Sequence, residues 1–274
     1  MRKLLFLPAL LLLLSCQGSK PPVKTHLVLE GWIDSDGHPM VLLSETMPVG
    51  DEEISLKDVL SNIAKWAKVS VSDGDKTVLL TGTVDPRYYP PYVYTTSEIT
   101  GVPGKTYTVD VEYKDYHATA STTIPEPVPL DKLYCVPLLD TLYRVMCGFT
   151  DPPEPGNYYK VFTKTEGKDT RYQSSVMAMA SDEVFEGYTE IYLWSTQRLM
   201  KYLYFPDICY GDELCVKFCT TDRSTFRYWE NYEVTLATNA NAMYYFDADL
   251  EANVHGALGY WAGYGVSEYK IKIE

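Results

Sequence analysis

Thr106-Tyr107-Thr108-Val109-Asp110-Val111-Glu112-Tyr113 alternates large apolar and polar side chains over eight residues. Successive side chains of a strand point to opposite faces, so Tyr107, Val109, Val111 and Tyr113 share one face and the polar residues the other. This is the period of a strand with one face buried. His117 to Ile124 follows as a second strand. Upstream, Val69 and Val71 alternate with serines ahead of the turn Ser72-Asp73-Gly74-Asp75, and Lys76–Gly82 and Val93–Thr100 continue the series. His26–Ile33 and His38–Glu45 flank Asp34-Ser35-Asp36-Gly37 and read as a hairpin. About seven short strands in about a hundred residues predict an immunoglobulin-like β-sandwich over residues 25–124.

Two stretches interrupt that pattern. In Ser55–Ala67, Leu56, Val59, Leu60 and Ile63 recur at helical spacing, with Ser55 placed to cap and Asp58 three residues on. In Arg87-Tyr88-Tyr89-Pro90-Pro91-Tyr92-Val93-Tyr94, prolines stiffen a loop rich in amphipathic rings. That composition occurs at binding surfaces, so Tyr88, Tyr89, Tyr92 and Tyr94 are the candidate partner-binding residues. The competing reading packs these rings back on the sandwich. The Asp34-Ser35-Asp36-Gly37 turn matches the start of a calcium loop, but the closing glutamate is missing, and a plain turn is the reading.

Pro125-Glu126-Pro127-Val128-Pro129 cannot enter a ladder, so residues 125–130 read as a stiff linker and 131–274 as a second, β-rich domain carrying one helix. Its strands are Leu133–Pro137, Leu142–Phe149, Asn157–Thr165, Tyr188–Ser195, the run around Leu214, Val216 and Phe218, and a last one around Tyr269, Ile271 and Ile273. Thr221 or Asp222 can cap the helix, which presents Tyr228, Trp229, Tyr232 and Leu236 on one face as core. The fold class is therefore all-β in the main.

The chain opens with a positive start, Arg2 and Lys3, an apolar run from Leu4 to Leu14, then Ser15 and Cys16. This is a secretory signal (residues 1–15) with the cysteine where a lipoprotein signal peptidase cuts. The run is too short to cross about 30 Å of hydrocarbon. Acylated Cys16 would anchor the chain, since each buried CH2 adds roughly 0.8 kcal/mol and two or more chains bind stably. Residues 16–24 form a polar tether. The whole chain carries a net charge of −13, more negative still without Arg2 and Lys3. Such a surface repels phosphate backbones and disfavours nucleic acid as a partner. The lipid, and no basic patch, would make the membrane contact.

Five further cysteines fit an oxidising compartment: Cys135, Cys147, Cys209, Cys215 and Cys219. Their odd number leaves at least one unpaired within the chain. Cys215 and Cys219, four strand residues apart, are separated by roughly 13 Å, beyond the reach of a bridge. Cys135 and Cys147 lie on consecutive strands at an even separation and form the leading candidate disulfide. No cysteine pair has the close spacing of a zinc site.

Several blocks then resemble one family in order. They are Leu27-Val28-Leu29-Glu30-Gly31-Trp32-Ile33, Ala67 to Gly74, Gly104-Lys105-Thr106-Tyr107, Thr123-Ile124-Pro125, Asp151-Pro152-Pro153 leading to Asn157-Tyr158-Tyr159, Gly211-Asp212, and Asn253 to Tyr260. Together they resemble the Bacteroidota lipoproteins of domain of unknown function forty-two forty-nine. Members of that family are typically encoded beside TonB-dependent outer-membrane receptors. The resemblance implies an accessory lipoprotein of such a transporter at the outer membrane, on either face, and it supplies no catalytic residues.

Asp247, Asp249 and Glu251 alternate, so an extended chain points all three carboxylates one way, with His255 nearby. They are the weak candidates for a hard-cation site, against a solvated acidic loop. His255 precedes Gly256 to Gly265, where close backbone packing would explain the glycines. No GxSxG, HExxH or phosphate-cradling loop is present. The expectation is a binding protein without cofactor, not an enzyme. A structural or adhesive surface lipoprotein is the alternative, and a hydrolase the remote one.

Overall fold

The computed structural model describes residues 25–47, 55–139, 141–193, 208–238 and 253–274. Cys16, with the leader and tether, and Asp247, Asp249 and Glu251 lie outside the described residues. The protein is mainly β. The first half carries β1 (Leu27–Asp34), β2 (Met40–Glu45), α1 (Leu56–Ser61), β3 (Lys68–Ser72), β4 (Thr77–Leu79), β5 (Thr81–Thr83), β6 (Val93–Thr95), β7 (Thr106–Tyr113) and β8 (Tyr116–Thr123). Two sheets face each other. In one, β8, β7, β3 and β4 lie in that order; in the other, β1, β2, β6 and β5. The alternation in β7 buries Tyr107, Val109 and Val111 completely. They meet Leu27, Leu29, Ile33, Val41 and Leu43 from the facing sheet. Each large side chain so buried contributes roughly 1.5–3 kcal/mol over leaving it exposed.

The stretch read as one strand from Lys76 to Gly82 divides at Leu80. β4 pairs with β3 in one sheet and β5 with β6 in the other, and buried Leu80 sits at the crossing. Helix α1 starts where expected, on a capping box: the Ser55 N–H donates to Asp58 (2.9 Å) and the Ser55 hydroxyl accepts from the Asp58 N–H (3.3 Å). It ends six residues earlier than the spacing predicts. Ile63 bridges to Ser44 of β2, and Trp66 is left-handed at φ 68°.

The second half carries β9 (Lys132–Leu139), β10 (Leu142–Thr150), β11 (Tyr158–Thr165), β12 (Gln173–Ser181), β13 (Tyr188–Leu193), β14 (Glu213–Thr221), α2 (Arg223–Thr238), β15 (Val254–His255) and β16 (Leu258–Lys272). The sheet β13-β10-β9 packs on β12-β11-β14 and the end of β16. Phe149, Tyr159 and Phe218 fill its centre, with the Tyr159 and Phe218 rings stacked at 5.5 Å. Asp222 caps α2, accepting from the Thr225 N–H at 2.8 Å. No helix among the described residues is long and apolar enough to cross a membrane.

The two sandwiches share a strand. At about 3.3 Å per residue, the fifteen residues of β16 extend about 50 Å, enough to serve both. Leu258 to Tyr264 pairs in parallel with β1, and Gly265 to Lys272 runs antiparallel to β14. β15 joins β8. The chain beyond residue 253 therefore first completes the N-terminal sandwich, so the expected division into 25–124 and 131–274 does not describe the packing. The linker at 125–130 lies against this crossing. A Cβ on Gly265 would sit 2.3 Å from the Pro125 carbonyl, and the Thr220 hydroxyl donates to the Glu126 carbonyl at 2.8 Å.

The predicted Cys135–Cys147 bridge is corrected by register. A bulge at Leu142–Tyr143 sets Cys135 opposite Val145 and Cys147 opposite Leu133. The two share a face but stand as diagonal neighbours, roughly 7–8 Å apart in such a ladder and too far for a disulfide. Among the described residues no disulfide joins Cys135, Cys147, Cys209, Cys215 or Cys219.

Candidate functional site

β1 lies at the centre of the shared sheet, so its alternation has two consequences. Leu27, Leu29 and Ile33 enter the core, and Glu30, Trp32 and Asp34 face the other way. The outer face they occupy is roofed on one side by α2. Tyr228 and Trp229 of that helix pack on Tyr260, Ala262 and Tyr264 of β16, with ring centroids 4.4 Å apart for Tyr228–Tyr260. Ala262 between two tyrosines leaves room for the helix to approach. A second wall is the loop containing Tyr88, Tyr89 and Pro90, and a third is the segment from Thr170 to Ser174. Between them lies a cleft of about 620 Å³, within the usual range of small-molecule sites.

Its walls are aromatic. Tyr88 lies 5.9 Å from Trp32, ring centroid to centroid. Phe162 meets Trp229 and Tyr264 edge-on at 5.6 and 5.4 Å. Charged groups enter from several elements. The Lys217 ammonium pairs with Asp34 at 2.5 Å and lies 5.6 Å from the Phe162 ring. Burial works against the Lys217 charge, but Asp34, Cys219 and Glu268, with Asp34 foremost, together offset it and hold the ammonium pKa above its usual value. The other Asp34 oxygen, Oδ1, is buried without a hydrogen-bond partner. Arg171 places its guanidinium 5.2 Å from the centre of the Tyr88 ring.

Glu30 is a carboxyl set among aromatic rings. Burial among protein atoms raises its carboxyl pKa, and the Arg171 guanidinium pulls it partly back. Tyr228 and Tyr260, beside it, have their phenol pKa values raised chiefly by burial. The arrangement can stack on a flat or apolar ligand and offer it a carboxyl and a guanidinium.

The four predicted tyrosines divide. Tyr88 and Tyr89 line the cleft. Tyr94 is buried in β6, donating to the Ala64 carbonyl at 2.7 Å and accepting from the Ala67 N–H at 3.0 Å. Tyr92 packs edge-on against it at 5.4 Å. For these last two the ring-on-sandwich reading holds, because their apolar bodies complete the core. His255 is exposed on β15, paired with Thr119. The calcium-like turn puts Asp34 against Lys217. Glu30, Trp32, Arg171 and Lys217 were not legible as site residues. The outward half of the β1 alternation, which carries Glu30 and Trp32, was the available signal.

A wider depression of about 830 Å³ runs along the proline linker and the Asp151–Gly156 loop. Its central carboxylate, Asp222, already accepts from the Thr122 and Ser224 hydroxyls at 2.7 Å each. The cleft under α2, with polar groups still unmatched, is the better site.

A family model described as a domain of unknown function (DUF4249) matches residues 19–270. No curated protein matches the chain in sequence. Among solved structures, a two-domain fibronectin type III segment from chicken tenascin is similar at 11% identity, covering 72% of this chain and 91% of that one, with a TM-score of 0.21.

Proposed function

The chain belongs to the DUF4249 family, and from that premise we propose that it is a lipid-anchored outer-membrane protein that holds a ligand, or its receptor, during TonB-dependent uptake. The observation that carries this reading is the cleft of about 620 Å³ where the two sandwiches share β16. An aromatic cavity with a carboxyl and a guanidinium suits binding. The role is holding and handing over, without turnover. Acylated Cys16 keeps the acidic body at the membrane beside the receptor.

Two measurements test it. Globomycin, which blocks lipoprotein signal cleavage, should leave uncut precursor, and normal processing under the drug would refute the anchor. Native purification should recover a TonB-dependent receptor, identified by mass spectrometry; its absence after crosslinking counts against the transport role. One observation favours the second reading, an adhesive or structural surface protein. The outer face of the β9-β10-β13 sheet exposes Tyr134, Val136, Leu138, Tyr188 and Tyr192. Loss of surface adhesion with intact uptake in a deletion strain would decide for it.

A further inference from the structure

The charged groups that line the cleft cancel in pairs, with two exceptions. Asp34 is matched by Lys217 at 2.5 Å, Glu45 by Lys114 at 2.7 Å, Arg87 by Asp85 at 2.6 Å and Lys164 by Glu166 at 3.2 Å. Glu30 and Arg171 remain. Among the described residues neither has an ion pair or a side-chain hydrogen bond, and the contact of Arg171 is with the face of Tyr88. They sense each other electrostatically without being joined. An unmatched carboxylate beside buried tyrosines is costly, and so is an unmatched guanidinium. Both costs fall when a ligand brings the opposite charges.

We infer that the cleft takes a zwitterion with an apolar body, a short peptide with free ends, whose ammonium meets Glu30 and whose carboxylate meets Arg171. The inference rests on the cleft being the ligand site. Arg171 presents a planar fork of donors, which a carboxylate can accept from two at a time. The cleft that holds both charges is also lined by Trp32, Tyr88, Phe162 and Tyr260, surfaces that attract an apolar or aromatic side chain and also the face-on approach of an ammonium. A neutral glycan could stack on the same rings, but it would leave Glu30 and Arg171 uncompensated. A polyanion would need Lys217, which Asp34 already holds.

The test is calorimetric titration of the full mature chain with phenylalanyl-leucine, with its N-acetylated, its C-amidated and its doubly capped forms, and with maltotriose. The free dipeptide should bind at least tenfold more tightly than either singly capped form. Glu30→Gln should abolish the preference for a free amine and Arg171→Met the preference for a free carboxylate, each with a melting temperature no lower than that of the unaltered chain. Equal binding of free and doubly capped dipeptide overturns the inference. Binding of maltotriose alone also overturns it, while leaving the cleft as a ligand site. If no compound binds, the inference is lost, and the transport role is then judged by receptor recovery alone.

Discussion

The Lys160 ammonium lies 2.7 Å from the Glu233 carboxylate, beneath α2 and fully buried. Lys160 also donates to the Ser175 carbonyl at 2.8 Å, and the second Glu233 oxygen accepts from the Met177 N–H at 2.9 Å. Met177 stands at φ 54°, close to where the β11–β12 register slips. One carboxylate thus fastens the helix to the sheet and secures a bulge. Burial lowers the Lys160 pKa, and Glu233 restores part of it. Glu233→Ala should cost about 3–5 kcal/mol, because it strands a buried charge. Lys160→Met should cost about 1 kcal/mol or less, since Glu233 reaches the surface and the methionine keeps the volume. Urea unfolding of both variants checks the order, and equal losses would refute it.

Where β16 enters the first sandwich, a Cβ on Gly259 would lie 1.9 Å from the Leu29 carbonyl oxygen, and Gly259 itself is at φ 108°. Neither the space nor the backbone admits a side chain. Gly259→Ala should lose about 3 kcal/mol or more, combining overpacking with left-handed strain. Gly74, also at positive φ but with open space around it, is the control. Gly74→Ala should lose about 1–2 kcal/mol. Chemical denaturation distinguishes them.

Much of the fold was legible because it is local. The eight-residue alternation gave β7 to the residue, and Ser55 with Asp58 gave the start of α1. β12 was missed because Gln173-Ser174-Ser175-Val176-Met177-Ala178-Met179-Ala180-Ser181 is built of small residues and its bulge breaks the two-residue period. The crossing of β16 between sandwiches was hidden because Gly259 to Gly265 is buried on both faces and rich in glycine, and a two-residue period shows only toward the C-terminal end of the strand. The cleft joins Glu30, Tyr88, Arg171, Lys217 and Tyr260, which only tertiary packing brings together. The tyrosine loop announced one wall; nothing local announced the charges.

The thiols make a sharp prediction. Burial pushes the Cys147 thiol up to about 12 and raises Cys219 too. At pH 8 the thiolate, the reactive form, is scarce at both sites. Iodoacetamide should therefore leave Cys147 and Cys219 unlabelled in the native protein and label all five cysteines after unreduced denaturation. Protection of Cys135 and Cys147 together in denaturant would restore the disulfide that register argues against.

The turn before β4 sets an acid limit. The Asp73 carboxylate accepts from the Lys76 N–H at 2.9 Å, from the Lys105 ammonium at 3.1 Å and from the Asp75 N–H at 3.1 Å. These partners, the Lys76 N–H foremost, lower its pKa to about 2 from an ordinary 3.8. A carboxyl that ionises more readily when folded stabilises the fold above its unfolded pKa, and that contribution disappears as pH falls from about 4 to about 2. Asp73→Asn keeps the acceptor oxygen but not the charge. Its unfolding midpoint should therefore lie below wild type at pH 7, and the two should converge by pH 2. Parallel curves over that interval would mean that Asp73 titrates alike in the folded and unfolded chains, and that the turn draws nothing from its charge.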